Sequence, residues 1–199
     1  MVDDPLKDAS LSKEERRLLL ALARESIERA VCGAAEPIVE LEGLPPSLRA
    51  AGVSFVTLTT RDGTLRGCIG ALEAHQPLAL DVCEHAAAAA LEDYRFLPVT
   101  PAEVPTLHIE ISRLTTPRPL AYDRPGDLPD LLQPHRDGVV LREGLNRATF
   151  LPQVWEKIDD PCAFLTYLCQ KMGAPGDLWR RKILTVEIYT VEEFEEEAE

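Results

Sequence analysis

Apolar residues along the chain recur with two periods, and each period marks a kind of element. Leu18, Leu22, Ala23, Ile27, Ala30 and Val31 return every three or four positions, the stripe of an amphipathic helix. Ser12-Lys13-Glu14-Glu15 ahead of them is a capping box, in which the Ser12 hydroxyl and the Glu15 carboxylate each satisfy a backbone donor, so a helix is predicted from here to near Gly33. Pro37, Pro45 and Pro46 punctuate the connection that follows. The run from Gly52 to Thr60 is rich in β-branched residues and bounded by the turn signal Asp62-Gly63, which predicts a hairpin returning over Thr64 to Ile69. Pro77, read as the first helical position, opens a second helix through Val82, Ala86 and Ala90 to about Glu92, with a small alanine face suited to close packing.

Further on, Leu107, Ile109 and Ile111 alternate with His108, Glu110 and Ser112, a strand with one apolar and one polar face. Five prolines between Pro117 and Pro134 mark an irregular but structured surface segment. Gly138–Leu141 and Ala148–Leu151 flank Gly144-Leu145-Asn146 as another hairpin, and Asp160-Pro161 caps a third helix that carries Phe164, Leu165, Leu168, Cys169 and Met172. A last strand, Ile183 to Val191, is expected to close the sheet. Helices interspersed with hairpins, without a βαβ repeat, predict an α+β class with a mainly antiparallel sheet flanked by helices. A tail over 1–11, a domain over 12–196 and an acidic end over 197–199 complete the organisation.

Composition narrows the function classes. At 199 residues with 45% hydrophobic and 28% charged positions, the chain can bury a core without disulfides or a metal. Its formal charge of −13 makes nucleic acid an unlikely partner. No apolar run is long enough to span a bilayer, and Asp3 and Asp4 stand where a secretory signal is basic and then apolar, so a cytoplasmic protein with no membrane partner is expected. Seven glutamates fall in the last thirteen residues, read as a solvated tail with no role. The five cysteines form no C-x-x-C pair, and Cys83 and His85, two apart on a helix, point away from each other, so no metal is expected. The glycines of residues 61–70 match neither a dinucleotide fingerprint nor a phosphate loop, and no cofactor is implied.

The most unusual stretch is Leu65-Arg66-Gly67-Cys68-Ile69-Gly70, because two glycines in a strand give up packing and backbone order. Strand alternation puts Arg66, Cys68 and Gly70 on one face. An arginine beside a thiol favours the nucleophilic thiolate, and Gly70 leaves space for a ligand, which makes Cys68 a candidate nucleophile with Arg66, Gly67 and Gly70 as candidate ligand contacts. The competing reading is a cysteine that simply fills the core. A base for Cys68 would come from His75, His85, His135 or, best placed, His108, with Glu110 orienting its imidazole, unless His108 and Glu110 only line a solvated face. Asp93 and Arg95, just past the second helix, either bind a polar ligand or pair with each other.

Taken in order, these segments resemble the AMMECR domain family, named for the Alport syndrome, midface hypoplasia, intellectual disability and elliptocytosis chromosomal region. Leu65-Arg66-Gly67-Cys68-Ile69-Gly70 matches the family's hallmark hexapeptide throughout, and Gly52–Leu58, Asp93–Thr100 and Phe150–Val154 follow in the family's order, with small departures at Ser54 and Tyr94. The resemblance, over about residues 15 to 196, implies two subdomains with the hexapeptide near the groove between them. It also implies work alongside a Memo-like protein, related to dioxygenases, and a radical S-adenosylmethionine enzyme. It supplies no reaction. A pocket around the hexapeptide that binds or modifies a small molecule or peptide is the leading expectation, and a non-catalytic scaffold for those two partners is the alternative.

Overall fold

The computed structural model describes residues 10–197, which divide into two compact units. The first holds the chain up to Thr115 together with the segment from Glu192 onward, and the second spans Thr116–Val191. Each is built on a four-stranded sheet, so the single sheet expected from the sequence is in fact two.

In the first unit, helix α1 (Lys13–Val31) starts where the capping box places it: Ser12 Oγ accepts the Glu15 N–H at 3.2 Å and Glu15 Oε2 accepts the Ser12 N–H at 2.7 Å. A short helix α2 (Pro46–Arg49) leads to strands β1 (Val53–Thr59) and β2 (Leu65–Gly70), an antiparallel hairpin turned at Gly63, whose φ of 80° a side chain would resist. Helix α3 (Leu78–Leu91) follows, with Pro77 as its N-cap rather than its first residue, and then strand β3 (His108–Leu114), antiparallel to β1. Leu19, Ala23 and Ile27 of α1 and Val82, Ala86 and Ala90 of α3 share one core with Val56, Leu58, Ile109 and Ile111, so both helices cover the same face of the sheet.

The second unit contains strand β4 (Arg118–Pro119), helix α4 (Leu128–Leu131), the hairpin β5 (Gly138–Glu143) and β6 (Asn146–Phe150), helices α5 (Pro161–Lys171) and α6 (Leu178–Arg181), and strand β7 (Thr185–Tyr189). Its sheet order is β4-β7-β5-β6. Proline-rich residues 117–134 are thus part of the unit rather than a plain loop. The core centres on Trp155 stacked on Phe164, with ring centroids 3.7 Å apart.

The last strand, β8 (Val191–Glu195), joins the first sheet as its fourth member, in the order β2-β1-β3-β8. This corrects the solvated acidic tail. Glu192 accepts hydrogen bonds from the Leu11 N–H at 3.0 Å, Arg16 at 2.7 Å and Arg113 at 3.1 Å, Glu196 is clasped by Arg24 and accepts the Ile109 N–H at 3.1 Å, and Glu197 faces Arg17 and Lys13. Cations on α1 and β3 hold a strand that has only Phe194 to bury, and Leu11, expected in a tail, lies 4% exposed in the core. Residues 1–9 and 198–199 of the two expected tails lie outside the described residues. No helix among the described residues is long and apolar enough to cross a membrane.

Removing the Glu192 carboxylate strips the nearly buried Arg113 of a counter-charge. Glu192→Gln is expected to lower the unfolding free energy by about 2–3 kcal/mol in urea titration. Glu197→Gln, on an exposed pair, is expected to leave the midpoint unchanged.

Candidate functional site

The hexapeptide is the whole of β2, an edge strand, and its two glycines answer to packing. A Cβ built at Gly67 would stand 2.1 Å from the carbonyl oxygen of Ala89, so the alanine-rich face of α3 can rest on β2 only because this residue has no side chain. A Cβ at Gly70 would stand 2.4 Å from Cγ of Phe55. The space that the sequence reading leaves for a ligand at Gly70 is therefore filled by the Phe55 ring, and Gly67 is turned to a helix rather than to a ligand.

An edge strand leaves backbone groups without sheet partners, and here side chains take them. The Cys68 N–H donates to Asp93 Oδ2 at 2.8 Å, while Arg95 Nη2 donates to the Cys68 carbonyl at 3.3 Å. Asp93 and Arg95 are joined by bonds of 2.8 and 2.6 Å, so of the two readings for this pair the internal ion pair is realised, fastened to the strand at Cys68. The Arg95 guanidinium, aided by the Cys68 N–H, holds the buried Asp93 carboxyl well below its ordinary value.

Arg66 departs from expectation. Instead of serving the thiol, its Nε donates to Glu103 at 3.0 Å and its Nη1 to the Leu97 carbonyl at 2.9 Å, tying β2 to residues 97–103. Glu103, which also accepts the Thr100 N–H and hydroxyl at 2.8 Å each, is lowered to about 2, chiefly by the Arg66 hydrogen bond. The cation that interacts with the Cys68 thiol is Arg95, whose own pKa is raised first by Asp93 and further by Cys68.

Cys68 itself is half-buried on the sheet face opposite the helices, and its sulfur accepts a hydrogen bond from the Thr57 hydroxyl at 3.3 Å. Thr57 lies opposite Cys68 on one side and opposite Glu110 on the other, so the three side chains stand in a row across β2, β1 and β3. His108 sits two residues away on β3, where its Nε2 meets Glu195 Oε2 at 3.0 Å; its carboxylate partner is on β8 and is not Glu110. Burial pushes the Glu110 carboxyl above its ordinary value, with added repulsion from Glu193 and Glu195.

The sequence reading missed one cluster. Ser54, Asp81 and His85 meet on the helix side of the sheet, almost wholly buried: Asp81 Oδ2 accepts the Ser54 N–H at 2.8 Å and hydroxyl at 2.7 Å and lies 3.2 Å from His85 Nδ1. The residue types are those of a nucleophilic triad, but the hydroxyl donates to the carboxylate rather than to the imidazole. It is a tie between β1 and α3, and it takes His85 away from Cys68. The signal was Ser54 in a strand of apolar inward positions, which needs a buried partner. Of the remaining histidines, His75 pairs with Glu84 at 3.6 Å and His135 belongs to the second unit.

Fold and site together define an α+β protein that carries a thiol on a glycine-containing edge strand, clamped by an acid–arginine pair. The chain belongs to the AMMECR1 family, whose model matches residues 20–194. A protein of Thermofilum pendens is 41% identical, over 88% of this chain and 87% of that one, and a protein of Methanopyrus kandleri is 36% identical, over 94% and 91%. The crystal structure of uncharacterized protein PH0010 from Pyrococcus horikoshii is similar with a TM-score of 0.79 at 33% identity, covering 94% of each chain.

Two predictions follow from the packing and the clamp. Gly67→Ala is expected to cost about 2–3 kcal/mol in thermal or urea unfolding, because a backbone carbonyl cannot step aside, whereas Gly43→Ala, with open space around its Cβ, stays within about 0.5 kcal/mol of wild type. Asp93 and Glu103 are both depressed in the folded state, so their contribution is complete above their ordinary values of 3.8 and 4.5 and is lost as pH falls through the folded ones. The hydrogen-exchange protection of the Cys68 amide is expected to decline from pH 4.5 toward 2 and to vanish at every pH in Asp93→Ala.

Proposed function

We propose that the protein binds, and through its thiol handles, a small molecule or peptide at Cys68. One observation carries this reading: a half-buried thiol, hydrogen-bonded by Thr57 and within electrostatic influence of Arg95, sits on a strand whose backbone is held by Asp93 and Arg95. The thiolate is the form of such a group that attacks electrophiles. Of the ligand contacts expected from the sequence, Arg95 is the one that keeps exposed surface beside the thiol, with 44% of its side chain accessible. Arg66 and Asp93 support the site from behind.

Tyr94 and Leu97 favour a second reading, that of a partner-binding component. They are 94% and 84% exposed on the segment that Asp93, Arg95 and Arg66 pin beside β2. Large apolar side chains held on a rigid base are the usual anchors of a protein interface. A Memo-like protein and a radical S-adenosylmethionine enzyme are the partners to try first, and Tyr94→Ala with Leu97→Ala is the variant that would lose them in native mass spectrometry.

The test of the first reading is the native alkylation rate of each cysteine, followed by peptide mass spectrometry. Cys68 is expected to react at pH 7.5 at least as fast as the exposed Cys32, while the buried Cys83 and Cys169, whose thiols burial pushes up, stay protected. Arg95→Gln is expected to slow Cys68 about 3- to 10-fold. A Cys68 that reacts only after unfolding would overturn the reading.

A further inference from the structure

Helix α1 sends four cations toward β8 and the residues just after it, and they do not end alike. Arg16 reaches Glu192 at 2.7 Å and the Leu11 carbonyl at 3.1 Å, and Arg24 clasps Glu196 while donating to the Val104 and Leu107 carbonyls at 2.8 and 2.9 Å. Lys13 and Arg17 share a single exposed carboxylate, that of Glu197, at 3.5 and 3.4 Å. They stand one helical turn apart on the same face of α1, where like charges repel, and among the described residues Glu197 is the carboxylate that both meet. Two cations against one anion leave a surplus of one positive charge.

Beside that charge lies a cavity of about 520 Å³ between the start of α1 and the end of β8. Its floor is apolar, made by the buried Leu11, Leu20 and Phe194, and its rim carries the exposed Lys13, Arg17 and Glu197. The other charged side chains along it are already engaged: Arg16 by Glu192, Glu195 by His108 at 3.0 Å, and Glu196 by Arg24. A space of this size with an apolar lining and a few convergent polar groups has the make-up of a small-molecule site.

We propose that this cavity binds an aliphatic carboxylate, with the hydrocarbon chain on Leu11, Leu20 and Phe194 and the carboxylate between Lys13 and Arg17, in the place that Glu197 takes in the free protein. One further negative charge completes the balance at the rim, and a ligand amine would meet two cations. The floor offers no polar group, so what it gains from a ligand is the burial of methylenes. Glu197 itself shows that the place suits a carboxylate: the hydrogen bond from Arg17, and then the charge of Lys13, hold its carboxyl below the ordinary value although it is exposed. A carboxylate brought by a ligand meets the same two cations, and an exposed pair gives way at little cost. The site is separate from Cys68, because β8 and β2 are the two edges of the sheet, so the reading of the thiol stands independently of it.

The experiment titrates octanoate into the full chain at low ionic strength and follows the Leu11 and Leu20 methyl resonances by NMR. Octan-1-ol supplies the same chain without the charge, and acetate the charge without the chain. Octanoate is expected to shift both residues saturably, with octan-1-ol and acetate binding about tenfold or more weakly. Lys13→Gln and Arg17→Gln, both at exposed positions, are each expected to weaken octanoate about 2- to 5-fold, whereas Glu197→Gln, which removes the competing carboxylate, is expected to tighten it by about the same factor. Octan-1-ol that binds as tightly as octanoate overturns the assignment of an anion. Unchanged or weaker binding in Glu197→Gln overturns the exchange with that carboxylate, and unchanged binding in the Lys13→Gln and Arg17→Gln double variant overturns recognition by the two cations. A wild-type protein whose Leu11 and Leu20 resonances show no saturable shift overturns the site itself, while Cys68 keeps or loses its role by its own alkylation test.

Discussion

The contact on which the first unit's edge depends is the one between the Asp93 carboxylate and the Cys68 N–H. An exposed edge strand invites pairing with any other strand, and its unpaired groups let it fray. Asp93 and Arg95 answer both by presenting an acceptor and a donor to one residue, as a neighbouring strand would, but from side chains that cannot propagate a sheet. The same pair fixes the chain just past α3, and Arg66 then fastens that segment again at Leu97 and Glu103. Four charged side chains thus make an irregular segment as well defined as the strand it borders. The depressed pKa values of Asp93 and Glu103 are the electrostatic signature of that arrangement.

The glycines complete the explanation of the hexapeptide. A strand resting on a helix ordinarily keeps its backbone about 10 Å from the helix axis, with side chains between. Gly67 removes that spacer at one point, and Ala89 removes it on the other side, so backbone meets backbone. Gly70 does the same for the Phe55 ring. Four of the six positions, Arg66, Gly67, Cys68 through its backbone, and Gly70, therefore have structural duties.

Local signals made much of this fold legible in the sequence. The Ser12 capping box, the Asp62-Gly63 turn and the Asp160 cap are short-range features, and the elements begin or turn where they stand. What was not legible is long-range. Of the two apolar residues in Val191-Glu192-Glu193-Phe194-Glu195 only Phe194 is buried, so no hydrophobic alternation announces a strand; its partners are arginines on α1 and β3, far away in sequence. Arg66 departs from its reading as the thiol's cation for a related reason. Strand alternation put Arg66 on the right face, but its long side chain reaches the carboxylate of Glu103, whereas Arg95 arrives from a different segment altogether. Similarly, alternation paired His108 with Glu110 along one strand, when the nearer carboxylate came from β8 across the sheet.

These long-range arrivals give the sheet a direction. The helix-covered face ties its buried polar groups together, with Ser54 and His85 meeting Asp81 at its Oδ2 and with Glu192 and Glu196 answered by arginines. On the other face the carboxylates of Glu110, Glu193 and Glu195 gather toward β3 and β8, while the guanidinium of Arg95 stands at the β2 edge. Cys68 lies between, with its backbone bound to the edge and its sulfur turned to the row. Charges of opposite sign thus stand on the two sides of the half-buried Cys68 along this face, which is the arrangement that long-range contacts, and not local pattern, produce.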